Sequence, residues 1–159
     1  MANHYFLKIE GPEVKGDSKI VNDGLEIHSW SFGATLPTSH GSGADRRTGK
    51  PNFQELSIMR TANKNSPELF DHCVTGNVFK KVTLSAYKQT GDKPEEYYHL
   101  VLTDAMINSI QSSASSEQPV ESVTFRFNQV HYGFNPENAQ GTLGGFIDKG
   151  YDLLTQKPV

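Results

Sequence analysis

Six histidines, one cysteine and one glycine- and arginine-rich stretch are the residues of this chain best suited to chemistry. A zinc site would need ligands at short, regular spacing. His4, His28, His99 and His131 fall singly on separate strand-like segments, His40 in a loop and His72 on a helix. Each is read as a lone surface or core histidine, without a second ligand at the two-to-four spacing of such sites, and no metal or other cofactor is expected. Cys73 has no partner within the chain, and its place on an apolar helix face suits a buried, inert thiol rather than a nucleophile. The stretch Gly41-Ser42-Gly43-Ala44-Asp45-Arg46-Arg47-Thr48-Gly49-Lys50-Pro51 has the look of a phosphate loop. That motif requires four residues between its first glycine and Gly-Lys, and a hydroxyl residue after the lysine. Here five residues separate Gly43 from Gly49, and Pro51 follows Lys50. A solvated polar loop is the better reading. Glu95-Glu96 flank a turn and serve solvation, and no nucleophile elbow or zinc-protease motif occurs. The chain is not expected to be an enzyme.

The elements that would position these residues follow a period of two. Tyr5, Leu7 and Ile9 make a short opening strand that ends at Gly11-Pro12. Leu25 to Leu36 reads as one long strand, with Trp30, Phe32, Ala34 and Leu36 on one face and Ser29, Ser31, Gly33 and Thr35 on the other. Residues 37–52 form a long polar loop, of a length more often functional than decorative. Leu56 and Ile58 continue the pattern on one face of the next strand. One helix is predicted at about 67–75. Ser66 is its expected N-cap, Pro67 its first residue, Gly76 its left-handed stop, and Leu69, Phe70, Cys73 and Val74 its apolar face.

Strands resume at Val82, Leu84 and Ala86, turn near Gly91, and continue in a ribbon from Tyr97 to about Ser113 that is apolar on both faces. Two-sided apolarity predicts that both faces are covered. Val123, Phe125 and Phe127 then alternate cleanly, after which Val130, Tyr132 and Phe134 take the opposite phase, as a β-bulge would require. Phe146 to Leu154 supplies a last short strand. The fold class is therefore mainly β: a small barrel or two packed antiparallel sheets, a single domain over 1–159, with one short helix packed on the side.

Composition limits the partners. The 159 residues carry a net charge of −3, are 35% hydrophobic and 10% aromatic, and include 14 glycines and 8 prolines. A globular core is affordable, disorder is not indicated, and no broad electrostatic pull toward nucleic acid or anionic lipid follows. No signal-peptide pattern opens the chain and no run is long enough to span a membrane. The expectation is a cytoplasmic protein whose export, if any, reads the folded form.

The same segments resemble the Hcp (hemolysin-coregulated protein) tube subunits of bacterial type VI secretion systems. The likeness lies in Tyr5-Phe6-Leu7-Lys8-Ile9 with Val14-Lys15-Gly16-Asp17-Ser18, in Ile27-His28-Ser29-Trp30-Ser31-Phe32-Gly33, and in Leu56-Ser57-Ile58 leading to Ser66-Pro67-Glu68-Leu69. It continues through Glu121-Ser122-Val123-Thr124-Phe125-Arg126-Phe127-Asn128-Gln129-Val130 and ends at Gly150-Tyr151-Asp152-Leu153. Asn63 departs from it, standing where many members carry an acidic residue, and the 37–52 loop is variable among them.

The resemblance implies a non-enzymatic subunit. Such subunits form homohexameric rings, stack into a tube, meet a VgrG-type spike, a contractile sheath and baseplate proteins, and leave the cell with small effector proteins in the lumen. It implies further that Ser29 and Ser31 face that lumen and its cargo. His40, Asp45, Arg46, Arg47 and Lys50 of the loop would then join stacked rings. Ring joints are expected from the ribbon 97–110 and from an edge near 123–134. No fused domain is expected after Val159, and neither nucleic acid nor membrane insertion is implied. The rival reading is a monomeric β-barrel module that binds a ligand or protein in a pocket lined by Trp30 and Tyr98.

Overall fold

The computed structural model describes residues 3–37, 50–137 and 144–159. All strand pairs among them are antiparallel. The first strand, β1 (His4–Glu10), lies between β2 (Leu25–Ile27) and β7 (Val78–Thr90). The expected single strand from Leu25 to Leu36 is broken into β2, β3 (Ser29–Ser31) and β4 (Ala34–Thr35). The break has a packing cause. Leu25 and Ile27 are buried, so the inward phase is odd, but the next core-packed residues are Trp30 and Phe32, which are even. The chain bends at His28, whose amide donates to the Met59 carbonyl at 2.8 Å, and β3 leaves β1 to pair with β6 (Leu56–Thr61). Beyond Phe32 the predicted apolar face leaves the core, for Ala34 and Leu36 are exposed. β4 instead pairs with β5 (Asn52–Phe53) in a small sheet of its own. The expected barrel is thus not closed by an unbroken ladder: β2 pairs with β1, β3 with β6, and the chain itself joins them at His28.

The long hairpin of β7 and β8 (Lys93–Ser113) corrects another expectation. Val82 pairs with Leu102, and Phe79 pairs with Ala105, and all four are buried. Two residues, rather than one, lie between the buried positions on each strand, so both strands change inward phase together, at the level where Asp104 adopts a φ of 51°. Ala105 and Ile107 thus join Leu100 and Leu102 on one core face whose phase changes at a bend, while the opposite face is only partly covered, with Ser85 buried and Val101 half-buried. A related change occurs between β9 (Val120–Arg126) and β10 (Gln129–Phe134), where the predicted flip is found: Val123, Phe125 and Phe127 are buried, then Val130. Tyr132 and Phe134 share that second phase but are exposed. β9 lies between β6 and β8, and β10 between β8 and β11 (Ile147–Asp152), so 123–134 is sheet interior rather than the expected edge. The two-residue β12 (Lys157–Pro158) closes that side.

The helix α1 (Ser66–Thr75) runs over β8, with Pro67 in its first turn and Gly76 at a φ of 69° ending it. Ser66 is not its N-cap. Asn65 holds that place without a side-chain capping bond, and the Ser66 hydroxyl is engaged at the buried Glu121. There it accepts the Asn63 amide at 3.0 Å and donates to Glu121 Oε1 at 2.8 Å. Glu121 also accepts from Arg60 Nη1, and Arg60 Nη2 donates to Asn63 Oδ1 at 2.7 Å. Arg60 and Glu121 are each only 1% exposed. The predicted apolar helix face is also corrected. Leu69 and His72 are the buried residues, while Phe70 and Val74 are 57% and 63% exposed. His72 packs edge-on against Phe79 with centroids 5.0 Å apart, and Asn77 Nδ2 lies 2.9 Å from its Nδ1, which gives this polar ring a satisfied place beneath the helix.

Removing one member of a buried ion pair leaves the other charge uncompensated, at about 3–5 kcal/mol, whereas an apolar replacement of both is often neutral. Glu121→Ala is therefore expected to lower unfolding free energy by about that amount in urea titrations. The double change Arg60→Met with Glu121→Leu is expected to recover most of the loss.

Candidate functional site: the outward face of four strands

Alternation along β3, β6, β9 and β8 sorts their side chains into rows that cross the sheet. Trp30, Ile58, Val123 and Ile110 are register partners, and they pack in or against the core. Flanking this row, and on the opposite face, are Ser29, Met59, Ser122 and Gln111 on one side and Ser31, Ser57, Thr124 and Ser109 on the other. Neither row contains a charged residue. Six of the eight side chains are small hydroxyl groups, and Met59, 44% exposed, is the sole large apolar group among them. Ser109 and Thr124 share a hydrogen bond at 2.6 Å, and Gln54 Nε2 donates to Ser31 Oγ at 3.4 Å. At one end His28 meets the Thr61 hydroxyl. At the other Glu55 accepts both hydrogen bonds, 2.9 and 3.0 Å, from Asn108 Nδ2.

Such a face can donate and accept hydrogen bonds but has no activated nucleophile and no field to attract a charged ligand. Ser29 and Ser31, singled out from alternation, are both exposed here. The rest of the face went unread, because its other members come from three distant segments joined only by strand register. Of the loop residues, His40, Asp45, Arg46 and Arg47 lie outside the described residues. Lys50 is exposed just before β5, so the loop springs from the β4–β5 pair.

The rival pocket has little room. Trp30 and Tyr98 pack on each other with ring centroids 5.0 Å apart. Burial, then the hydrogen bond with the Tyr132 hydroxyl, pushes the Tyr98 phenol well above the usual tyrosine value, so it stays protonated. A nearby open cleft lined by Phe32, Phe53, Val130, Tyr132 and Tyr151 measures about 240 Å³, below the roughly 300–1,000 Å³ of small-molecule sites. Among the described residues no group of three or more histidines, cysteines and carboxylates is placed to hold a metal ion. Yet two histidines read as isolated are not: His99 and His131 both reach Asp148, and Glu96, three residues before His99, bonds to it as well.

Residues 6–134 match the family model described as "Type VI secretion system effector, Hcp". The chain belongs to the Hcp family. It is 30% identical over 158 residues to protein Hcp1 of Pseudomonas aeruginosa, with 96% of each chain covered. Among solved structures it is similar to one described as a type six secretion system protein, with a TM-score of 0.88 at 25% identity over 99% of this chain and all of that one. It is also similar to Hcp1 from Salmonella typhimurium, with a TM-score of 0.79 at 26% identity and both chains fully covered. Among the described residues of this Hcp chain, no helix is long and apolar enough to cross a membrane.

If the rows are assigned to the right faces, neighbours on β6 respond oppositely. Met59→Ser is expected to change the unfolding free energy by less than about 0.5 kcal/mol. Ile58→Ala, one residue away, is expected to cost about 2–5 kcal/mol in the same urea titration.

Proposed function

We propose that this Hcp chain is the building block of a type VI secretion tube: six copies close a ring, rings stack, and the tube leaves the cell with small effector proteins held inside. Its partners would be further copies of itself, a VgrG-type spike, and the sheath and baseplate that drive it out. Its role is structural rather than catalytic. The observation that carries this reading is the four-strand face of small hydroxyl groups, assigned here to the lumen. A wall whose two central rows carry no charge and little bulk suits a surface that must hold a folded protein and then release it. A closed ring needs two different patches that meet across each joint. The fold carries two exposed apolar groups in separate places. One is Phe70, Val74 and Val78 beside α1, and the other is Tyr132, Phe134 and Ile147 on β10 and β11. Tyr132 and Phe134 fall within the 123–134 segment that the sequence suggested for a joint, while the patch beside α1 takes the place of the 97–110 ribbon.

Mass photometry at micromolar concentration is expected to find six-subunit particles. A strictly monomeric protein at every salt concentration would overturn the ring. Ser31→Gln adds bulk to the proposed lumen wall without charge, so hexamers should persist while co-purification and cellular levels of an effector fall. Unchanged effector retention would move Ser31 out of the lumen.

The loop containing His40, Asp45, Arg46, Arg47 and Lys50 is assigned to the contact between rings, since it is too polar for a core. Replacing 41–48 with a short Gly-Ser linker is expected to leave the melting temperature nearly unchanged while tube formation and secretion drop. Loss of folding would make the loop structural instead.

A further inference from the structure

The strand β11 is weakly rooted. None of its six residues is buried, and it is paired with β10 on one side and with only the two-residue β12 on the other. At its C-terminal end Tyr151 packs against Phe53, with ring centroids 5.3 Å apart, and toward its start the side-chain tie to the body of the sheet is a polar cluster that spans β8, β10 and β11. His99 Nε2 lies 2.9 Å from Asp148 Oδ2, His131 Nδ1 lies 2.8 Å from Asp148 Oδ1, and His99 Nδ1 lies 3.1 Å from Glu96 Oε1. The strands leave room for both rings. Gly133 stands opposite His99, and Gly150 opposite His131. A Cβ at Gly133 would lie 2.3 Å from His99 Nε2, and one at Gly150 would lie 2.6 Å from the His131 ring. Phe146 covers His99, stacked at 4.4 Å.

The two histidines differ in what they need. Gln129 Nε2 donates to His131 Nε2 at 3.0 Å, so a neutral His131 with its hydrogen on Nδ1 satisfies both neighbours. His99 has a carboxylate oxygen at each nitrogen. A neutral imidazole carries one N–H and one lone pair, so one carboxylate must face that lone pair. Only the imidazolium donates to both. The surroundings of His99 offer no substitute charge. From β7 come Ser85, opposite His99 in register, and Tyr87, whose hydroxyl donates to Glu96 Oε2 at 3.4 Å. From β10 come Gly133, His131 and Gln129, and from β11 Asp148. Among the described residues no lysine or arginine pairs with Glu96 or Asp148.

We propose that His99 is a proton-operated clasp that fastens β11 to the body of the sheet, tight when the ring is protonated and loosened when it is neutral. Stabilisation that depends on a charged histidine is complete at acidic pH and fades as the pH rises. The Asp148 side of the clasp persists through that range. Its slight burial would raise its carboxyl, but the hydrogen bonds and charges of His99 and His131 outweigh this and hold it below the ordinary carboxylate value. The fastening should therefore tighten as the pH falls from about 8 to about 5.5, and fail only where carboxylates themselves protonate.

Hydrogen exchange of the β10–β11 amides, corrected for intrinsic rates, tests this in the whole protein. Protection is expected to be about fivefold higher at about pH 5.5 than at about pH 8, within the tenfold that one unit of ionisation coupling supplies. Glu96→Gln gives neutral His99 an amide donor at Nδ1. That variant should hold β11 with less than about a 1.5-fold difference between the same two pH values, while the β1–β7 amides stay as protected as before. Should Glu96→Gln disturb the β1–β7 amides, Asp148→Asn offers the same donor from the other side and should flatten the pH response in the same way. Equal protection at both pH values in the unchanged protein would overturn the clasp. So would a pH difference that survives undiminished in the variant that folds.

Discussion

The buried pair of Arg60 and Glu121 is the constraint around which this fold is arranged. It joins β6 to β9 across the sheet, and through Asn63 and Ser66 it holds the entry to α1 in place. Two charges cannot be removed from water cheaply, so the surroundings must satisfy them. Asn63 contributes by accepting from the guanidinium with a neutral oxygen. Ser66 contributes by giving its hydroxyl to Glu121, and so it cannot cap the helix. The local rule for helix ends yields here to the stronger demand of a buried carboxylate.

The other organising feature is a repeated change of strand phase. At His28, at the level of Asp104, and at Phe127-Asn128, the inward set moves by one residue. Each shift lets a long segment serve two neighbours. Residues 25–31 pass from β1 to β6, and 120–134 pass from β6 to β11, while β7 and β8 keep one register through the bend at Asp104 and shift it only between Ala86 and Tyr87. The bends curl the sheet around one core, and they leave β3, β6, β9 and the end of β8 as a broad wall. On that wall the side chains that fill the core and those that could meet another protein are separated by alternation alone.

That separation links the fold to the proposed role. A wall of serine and threonine would hold cargo by many weak hydrogen bonds and shape, and a secreted carrier must let go as readily as it holds. The polarity of the opposite region is of another kind. On β8, β10 and β11 the polar groups are charged or titratable and grip one another, which suits fastening an arm rather than meeting cargo.

Much of this was legible in the residues themselves. Val82, Leu84, Ala86, Val123 and Phe125 declare their inward face by strict alternation, because a strand admits only two directions for a side chain. Pro67 and Gly76 bracket the helix because each restricts or relaxes a backbone angle. The same alternation singled out Ser29 and Ser31. Tertiary structure decided what alternation cannot express. By alternation Tyr98 and Ile110 share one face and Ala105 and Ile107 the other, until the bend at Asp104 and the register shift between Ile107 and Ser109 turn all four toward a single core. Phe70 and Val74 belong to the helix's apolar stripe, yet Leu69 and His72 are the buried residues, because the side of the helix that meets the sheet is the one where His72 packs on Phe79. Arg60, Glu121, His99 and Asp148 gave little signal, since apart from Asn63, Ser66 and Glu96 their partners lie many residues away and only strand register brings them together. Short-range pattern reports the conformation of a segment, whereas a polar site depends on which segments become neighbours, and that choice is made by the packing of the whole sheet.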